Sequence, residues 1–64
     1  MAERAFRETD YVGLTVDAAL ALAAEQGWSP RRLRPGQAVT AEYREGRLNL
    51  VAGDDDAVVR AYTG

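Results

Sequence analysis

About a dozen residues separate two short apolar segments in the second half of this chain, and that interval limits how the segments can meet. A tight hairpin joins neighbouring strands through roughly two to five residues, so the stretch Pro35 to Asn49 does not read as a hairpin turn. Within it, Ala38-Val39-Thr40-Ala41 are small or β-branched residues that favour an extended backbone. Glu42 follows, and Arg47 returns at the foot of the next strand, a spacing that lets its guanidinium reach back under the loop. A long, extended, polar-braced connection in so small a domain points to function rather than passive linkage.

The size makes that loop costly to carry. A chain of 64 residues is one domain near the lower limit of what folds alone, burying only about 60% of its unfolded surface. It has no cysteine, which removes both a disulfide scaffold and a thiolate metal site. It has no histidine, the usual general base and the commonest transition-metal ligand. The one serine, Ser29, therefore has no histidine to activate it, and the chain is not expected to be an enzyme. Net charge is −2, from eight arginines and no lysine against ten acids, which argues against an overall pull towards nucleic acid or an anionic membrane. The longest apolar run, Ala18 to Ala24, falls far short of the ~20 residues that span a bilayer. The N-terminal residues alternate in charge and lack the apolar core of a signal peptide, so an intracellular location is expected unless a leader has been removed.

Residues 1–10 read as a flexible, polar lead-in, with Phe6 either folded back onto the core or stray in a frayed tail. Residues 11–64 form the domain proper. Thr15 fits a helix N-cap, and Asp17 places a negative charge in the first turn, where the helix dipole favours it. Val16, Ala19, Leu20, Leu22 and Ala23 then give an apolar face at helical spacing, and Gly27 stops the helix. The pattern predicts a helix over Val16 to Gln26, with Trp28 over its end. Pro30 to Arg34 read as a first strand with Leu33 inward and Arg31, Arg32 and Arg34 mostly solvent-facing. Arg47 to Ala52 alternate clearly: Leu48, Leu50 and Ala52 should face the helix, and Arg47, Asn49 and Val51 the loop. Ala57 to Tyr62 form a last strand antiparallel to it. Three adjacent aspartates in Gly53-Asp54-Asp55-Asp56, without a mid-loop glycine or distal glutamate, make a solvated turn rather than a calcium loop. The result is an α+β fold, one helix on a small sheet, with no metal and no cofactor expected.

Several fixed spacings then match at once. Arg34-Pro35-Gly36, Ala38-Val39-Thr40, Glu42-Tyr43-Arg44 and Arg47-Leu48-Asn49 resemble the reactive-site region of the potato inhibitor I family of serine protease inhibitors, most of all its short bacterial members. With Val12-Gly13 before the helix and Gly64 at the end, the resemblance covers roughly residues 11 to 64. It implies a mixed sheet in which the strands flanking a long exposed reactive-site loop run parallel. It also implies inhibition by a substrate-like loop with Ala41–Glu42 as the scissile bond. Val39, Thr40 and Ala41 would take the non-prime side of the protease cleft, and Glu42, Tyr43 and Arg44 the prime side. Arg47 would brace the loop through Glu42 and Thr40, with the terminal carboxylate of Gly64 pairing to it. The family usually places a second arginine where this sequence has Asn49, a shorter and uncharged residue, so weaker bracing is expected. Ala41 implies proteases tolerant of a small residue, subtilisin-like or elastase/chymotrypsin-like; trypsin-like enzymes should be poor targets.

Two other readings compete with inhibition. One is a protein-interaction module that kept the fold but not the inhibition. The other is a basic face of Arg31, Arg32, Arg34, Arg44 and Arg47 for nucleic acid, but Tyr43 alone offers stacking and Glu42 and Glu45 interrupt the charge. The resemblance implies a serine protease as the partner, and the expectation is no nucleic acid, no membrane and a monomer.

Overall fold

A computed structural model describes residues 6–37 and 44–64 of the chain. Its elements follow in the order 3-10 turn (Glu8–Asp10), helix α1 (Val16–Glu25), then strands β1 (Ser29–Leu33), β2 (Arg47–Ala52) and β3 (Val58–Thr63). The strands form one sheet in the order β1-β2-β3, parallel between β1 and β2 and antiparallel between β2 and β3. This is the α+β arrangement expected from the sequence, with the parallel pair that the resemblance implied. Among the described residues, no helix is long and apolar enough to cross a membrane.

Helix α1 starts where the chemistry of Thr15 starts it: the Thr15 Oγ1 accepts from the Ala18 N–H at 3.2 Å. At the other end Gly27 takes φ 88°, where a side chain would be strained. The Trp28 N–H then reaches the Ala23 carbonyl at 2.9 Å and the Gly27 N–H the Ala24 carbonyl at 3.1 Å, the paired bonds of a Schellman cap. The helix thus ends at Glu25, with Gln26 as its C-cap.

Val16, Ala19 and Ala23 of the helix meet Leu48, Leu50 and Ala52 of β2 and Val58 and Ala61 of β3 in one buried cluster. The alanines let the helix approach the sheet closely, and Leu20 and Leu22 close its sides half-buried. Complete burial of Leu48 and Leu50 contributes about 1.5–3 kcal/mol each. Tyr11 is also fully buried, its hydroxyl donating to Gln26 Oε1. Burial pushes its pKa above the usual tyrosine value, and the Asp10 carboxylate adds to the shift.

The segment before the helix is tied in more firmly than a polar lead-in suggests. Phe6 stacks on Tyr11 and meets Trp28 edge-on, each at 6.1 Å between ring centroids, so it does fold back onto the core. The Gly13 N–H bonds the Val58 carbonyl, and Leu14 accepts from the Val58 N–H, both at 2.9 Å. Residues 1–5 lie outside the described residues.

The outer strands differ from their sequence reading. β1 begins at Ser29 and ends at Leu33, and β3 is shifted by one residue to Val58–Thr63. The register shifts between Val51, paired with Arg60, and Ala52, paired with Val58, so the bulge's extra residue is Val59 of β3, which the alternation alone does not signal. Leu33 is buried, but its partner Val51 sets it on the face away from the helix. Arg31 and Arg32 are half-buried and engaged rather than solvent-facing. The turn at Gly53–Asp56 is solvated as expected, with Asp56 at φ 58°, a left-handed conformation that aspartate tolerates better than most residues. Arg32 holds this turn to β1, its Nη2 lying 3.1 Å from the Gly53 carbonyl and 2.9 Å from Asp56 Oδ1.

Candidate functional site

Parallel pairing dictates where the long connection begins and ends. The register sets Ser29 beside Arg47 and Leu33 beside Val51. The chain therefore leaves β1 at one end of the strand pair and re-enters β2 at the other. Helix α1 covers the face bearing Leu48, Leu50 and Ala52. The opposite face carries Arg31 and Leu33 from β1, Arg47, Asn49 and Val51 from β2, and Tyr62 from β3.

Both ends of the connection are fixed by turns. At its start, the Gln37 N–H bonds the Arg34 carbonyl at 3.0 Å, and Gln37 Oε1 accepts from the Arg34 N–H at 2.9 Å. Pro35 and Gly36 occupy the corner, and Gly36 has φ 73°, the combination a type II turn requires. Arg34 also lies 3.4 Å from Asp54, an exposed pair of little energetic weight. At the far end the Arg47 N–H bonds the Arg44 carbonyl at 3.3 Å, and the Gly46 carbonyl accepts from the Ser29 N–H at 2.8 Å.

Of the residues singled out in the sequence, Val39, Thr40, Ala41, Glu42 and Tyr43 lie outside the described residues, as does any Glu42–Arg47 pair. Arg44 is exposed beside them and Arg47 is half-buried. Gly64 is brought next to Arg47 through the backbone, its N–H donating to the Arg47 carbonyl at 3.0 Å. Asn49 is fully buried. Its Oδ1 accepts from Arg31 Nε at 2.9 Å and its Nδ2 donates to the Tyr62 carbonyl at 3.3 Å, so one side chain links all three strands. Such a bridge satisfies an amide that would otherwise be costly to bury.

Arg31 and Tyr62 were not among the residues expected at this site. The signal for Arg31 was its spacing from Leu33, which places it on the same face; the parallel register with Asn49 could not be read without the structure. Next to this network lies a cavity of about 310 Å³ lined by Leu33, Val51, Val59 and Tyr62, bordered by the Arg34–Gln37 turn and by Arg60. The Arg60 guanidinium sits 5.6 Å from the Tyr62 ring centroid. Among the described residues, no group of three or more acidic, histidine or cysteine side chains could hold a metal ion.

No family model matches the sequence, and no curated protein matches it. Solved structures do. The crystal structure of bitter gourd trypsin inhibitor superposes with a TM-score of 0.79 at 19% identity, over 98% of this chain and all (100%) of that one, which shows the fold. The elastase inhibitor AFUEI is similar with a TM-score of 0.67 at 28% identity, over 89% of this chain and 82% of that one. Both of these structural neighbours are protease inhibitors rather than enzymes.

Proposed function

We propose that this chain is a serine protease inhibitor of the potato inhibitor I type, acting by a substrate-like mechanism. The observation that carries the reading is the parallel β1–β2 pair with the two ends of one long connection fixed at its opposite ends, in a fold shared with two protease inhibitors. In this reading Val39–Ala41 adds an extended strand to the edge of the enzyme's substrate cleft. The Ala41 side chain enters the specificity pocket, and its carbonyl points into the oxyanion hole. The scissile bond is Ala41–Glu42, with Glu42, Tyr43 and Arg44 on the prime side.

A flexible peptide of this sequence would be cut and released. Preorganisation separates inhibitor from substrate, because a loop already ordered loses little entropy on binding. If the bond breaks, the new amine stays beside the acyl group, and resealing competes with hydrolysis. Arg47 braces the loop through Glu42 and Thr40, since a guanidinium gives directional, charge-assisted bonds that lysine does not reproduce. Its backbone tie to Gly64 holds the C-terminal residue within the same brace.

A small residue at position 41 suits subtilisin-like and elastase/chymotrypsin-like enzymes. The neighbour named for elastase agrees with that preference, whereas the one named for trypsin shares the fold alone. The deciding experiment is a titration against subtilisin, elastase, chymotrypsin and trypsin, followed by mass spectrometry of any clipped product. Stoichiometric loss of activity of the first two supports the reading; rapid, complete cleavage without inhibition overturns it.

One observation favours a second reading, a non-inhibitory interaction module on the same fold. Both polar ends of Asn49 are engaged within the sheet, by Arg31 and by Tyr62, where a bracing side chain would turn towards the loop. The same titration separates the two.

A further inference from the structure

We propose that the cavity on the sheet face opposite helix α1 is a binding site for a small organic carboxylate that carries an aromatic or branched apolar group. The site is separate from the protease reading, and none of its residues is among those assigned there to binding or bracing. Strand pairing sets Leu33, Val51 and Arg60 in one row across the three strands. Tyr62 stands two residues along β3 on the same face, and the Arg34–Gln37 turn forms one side. The volume of about 310 Å³ is at the lower end of the roughly 300–1,000 Å³ of small-molecule sites.

The bulge in β3 supplies part of the wall. Val58 and Ala61 are both buried in the core although an odd interval separates them, which strict alternation does not allow. The extra residue, Val59, is turned outward, 51% exposed, and lines the cavity. Bulges of this kind re-aim a side chain beside functional sites. The charge of the lining is one-sided: of the described residues there, Arg34 and Arg60 are cationic and none is acidic. The Arg60 guanidinium lies 5.6 Å from the Tyr62 ring centroid, over the apolar floor. Its contact with Glu8, at 3.8 Å, and that of Arg34 with Asp54, at 3.4 Å, are weak exposed pairs, so both guanidiniums keep donors for a ligand. A guanidinium fork matches a carboxylate through two parallel N–H···O bonds. A bare inorganic anion would leave Leu33, Val51 and Val59 against water, and a neutral apolar molecule would make no use of the guanidiniums. The complementary occupant has both parts.

The test is an NMR titration of the isotope-labelled protein with hydrocinnamate, and with acetate and hydrocinnamyl alcohol, each of which keeps only one half of that ligand. Hydrocinnamate should saturate a single site with a Kd of about the millimolar range, as expected for so small a ligand. It should shift the amides of Leu33, Val51, Val59 and Tyr62 and spare Ala19 and Ala23 in the helix. Acetate and the alcohol should each bind at least about tenfold more weakly, through loss of the apolar contact or of the charge-assisted bonds. The double variant Arg34→Gln/Arg60→Gln should weaken hydrocinnamate binding at least about tenfold, and Val59→Asp should abolish it. All three side chains are exposed, so Tm should hold in both variants.

Three results overturn the proposal: no saturable shifts at those four residues, equal binding of the alcohol, or unchanged affinity in the folded double variant. Should a variant fail to fold, the three ligands on the wild-type protein decide alone. The outcome is also distinct from that of the protease titration. A protein that inhibits nothing but binds hydrocinnamate loses the inhibitory reading and keeps the site; an inhibitor that binds no carboxylate keeps its function and loses the site.

Discussion

The Glu8 carboxylate accepts the Ala61 backbone N–H at 3.0 Å, joining the start of the described chain to its last strand. Among the described residues β3 is an edge strand, and no strand lies beyond it to receive this N–H. Arg60 Nε lies 3.8 Å from the same carboxylate oxygen. Glu8→Ala should lower stability by about 1–2 kcal/mol, because it leaves the N–H without its charged acceptor. In a domain of this size that corresponds to a fall in Tm of roughly 4–16 °C. Glu8→Gln keeps an acceptor and should lose less, which thermal unfolding of the two variants will show.

Leu50 stands at the centre of the sheet with its side chain fully buried against the helix. Leu50→Ala should cost about 2–5 kcal/mol, a large part of what a domain this small has. Urea unfolding should show the midpoint falling at unchanged slope, as for a loss of stability without a change in the surface exposed.

The raised pKa of Tyr11 makes the fold sensitive to alkali. Below pH 10 the phenol is neutral in both states, and it contributes no pH dependence. Above its unfolded value of about 10 the unfolded chain ionises first, so stability falls by up to ~1.4 kcal/mol per pH unit until the folded Tyr11 ionises too. Tyr11→Phe should lose about 1 kcal/mol at neutral pH through its missing bond to Gln26, yet lose less on going from pH 10 to 11. Chemical unfolding at each pH measures both effects.

Two substitutions bear on the proposed inhibition. Arg47→Ala should leave a folded protein that subtilisin cleaves faster at Ala41–Glu42, by about tenfold or more for the loss of charge-assisted bonds. Ala41→Phe should shift inhibition towards chymotrypsin at unchanged Tm. Equal clipping of Arg47→Ala and wild type would remove Arg47 from the brace, and inhibition indifferent to residue 41 would move the scissile bond elsewhere.

The helix and β2 were legible in the sequence because each is governed by local chemistry. Thr15 caps, Gly27 stops, and the alternation from Arg47 to Ala52 assigns two faces that the structure keeps. β1 was harder to read, since its facing depends on partners distant in sequence. Leu33 reads only as inward, and it is buried; its pairing with Val51 is what sets it on the face away from the helix. Arg31 looked solvated because an arginine on a short polar strand usually is; its engagement follows from the parallel register with Asn49. The bulge that displaces β3 and the hydrogen bond from Ala61 to Glu8 are likewise tertiary. At the candidate site the turns at Arg34–Gln37 and Arg44–Arg47 are local, and Pro35-Gly36 and Gly46 mark them in the sequence.

The parallel pairing of β1 with β2 also divides the molecule into two natural parts. A chain interrupted anywhere between 34 and 46 gives one piece holding the helix and a single strand, and another holding a two-stranded hairpin. Neither encloses a core, because Val16, Ala19 and Ala23 belong to the first piece and Leu48, Leu50 and Val58 to the second. Folding thereby becomes an association reaction, and the two peptides should stay unstructured apart and complement one another when mixed, in proportion to their concentration.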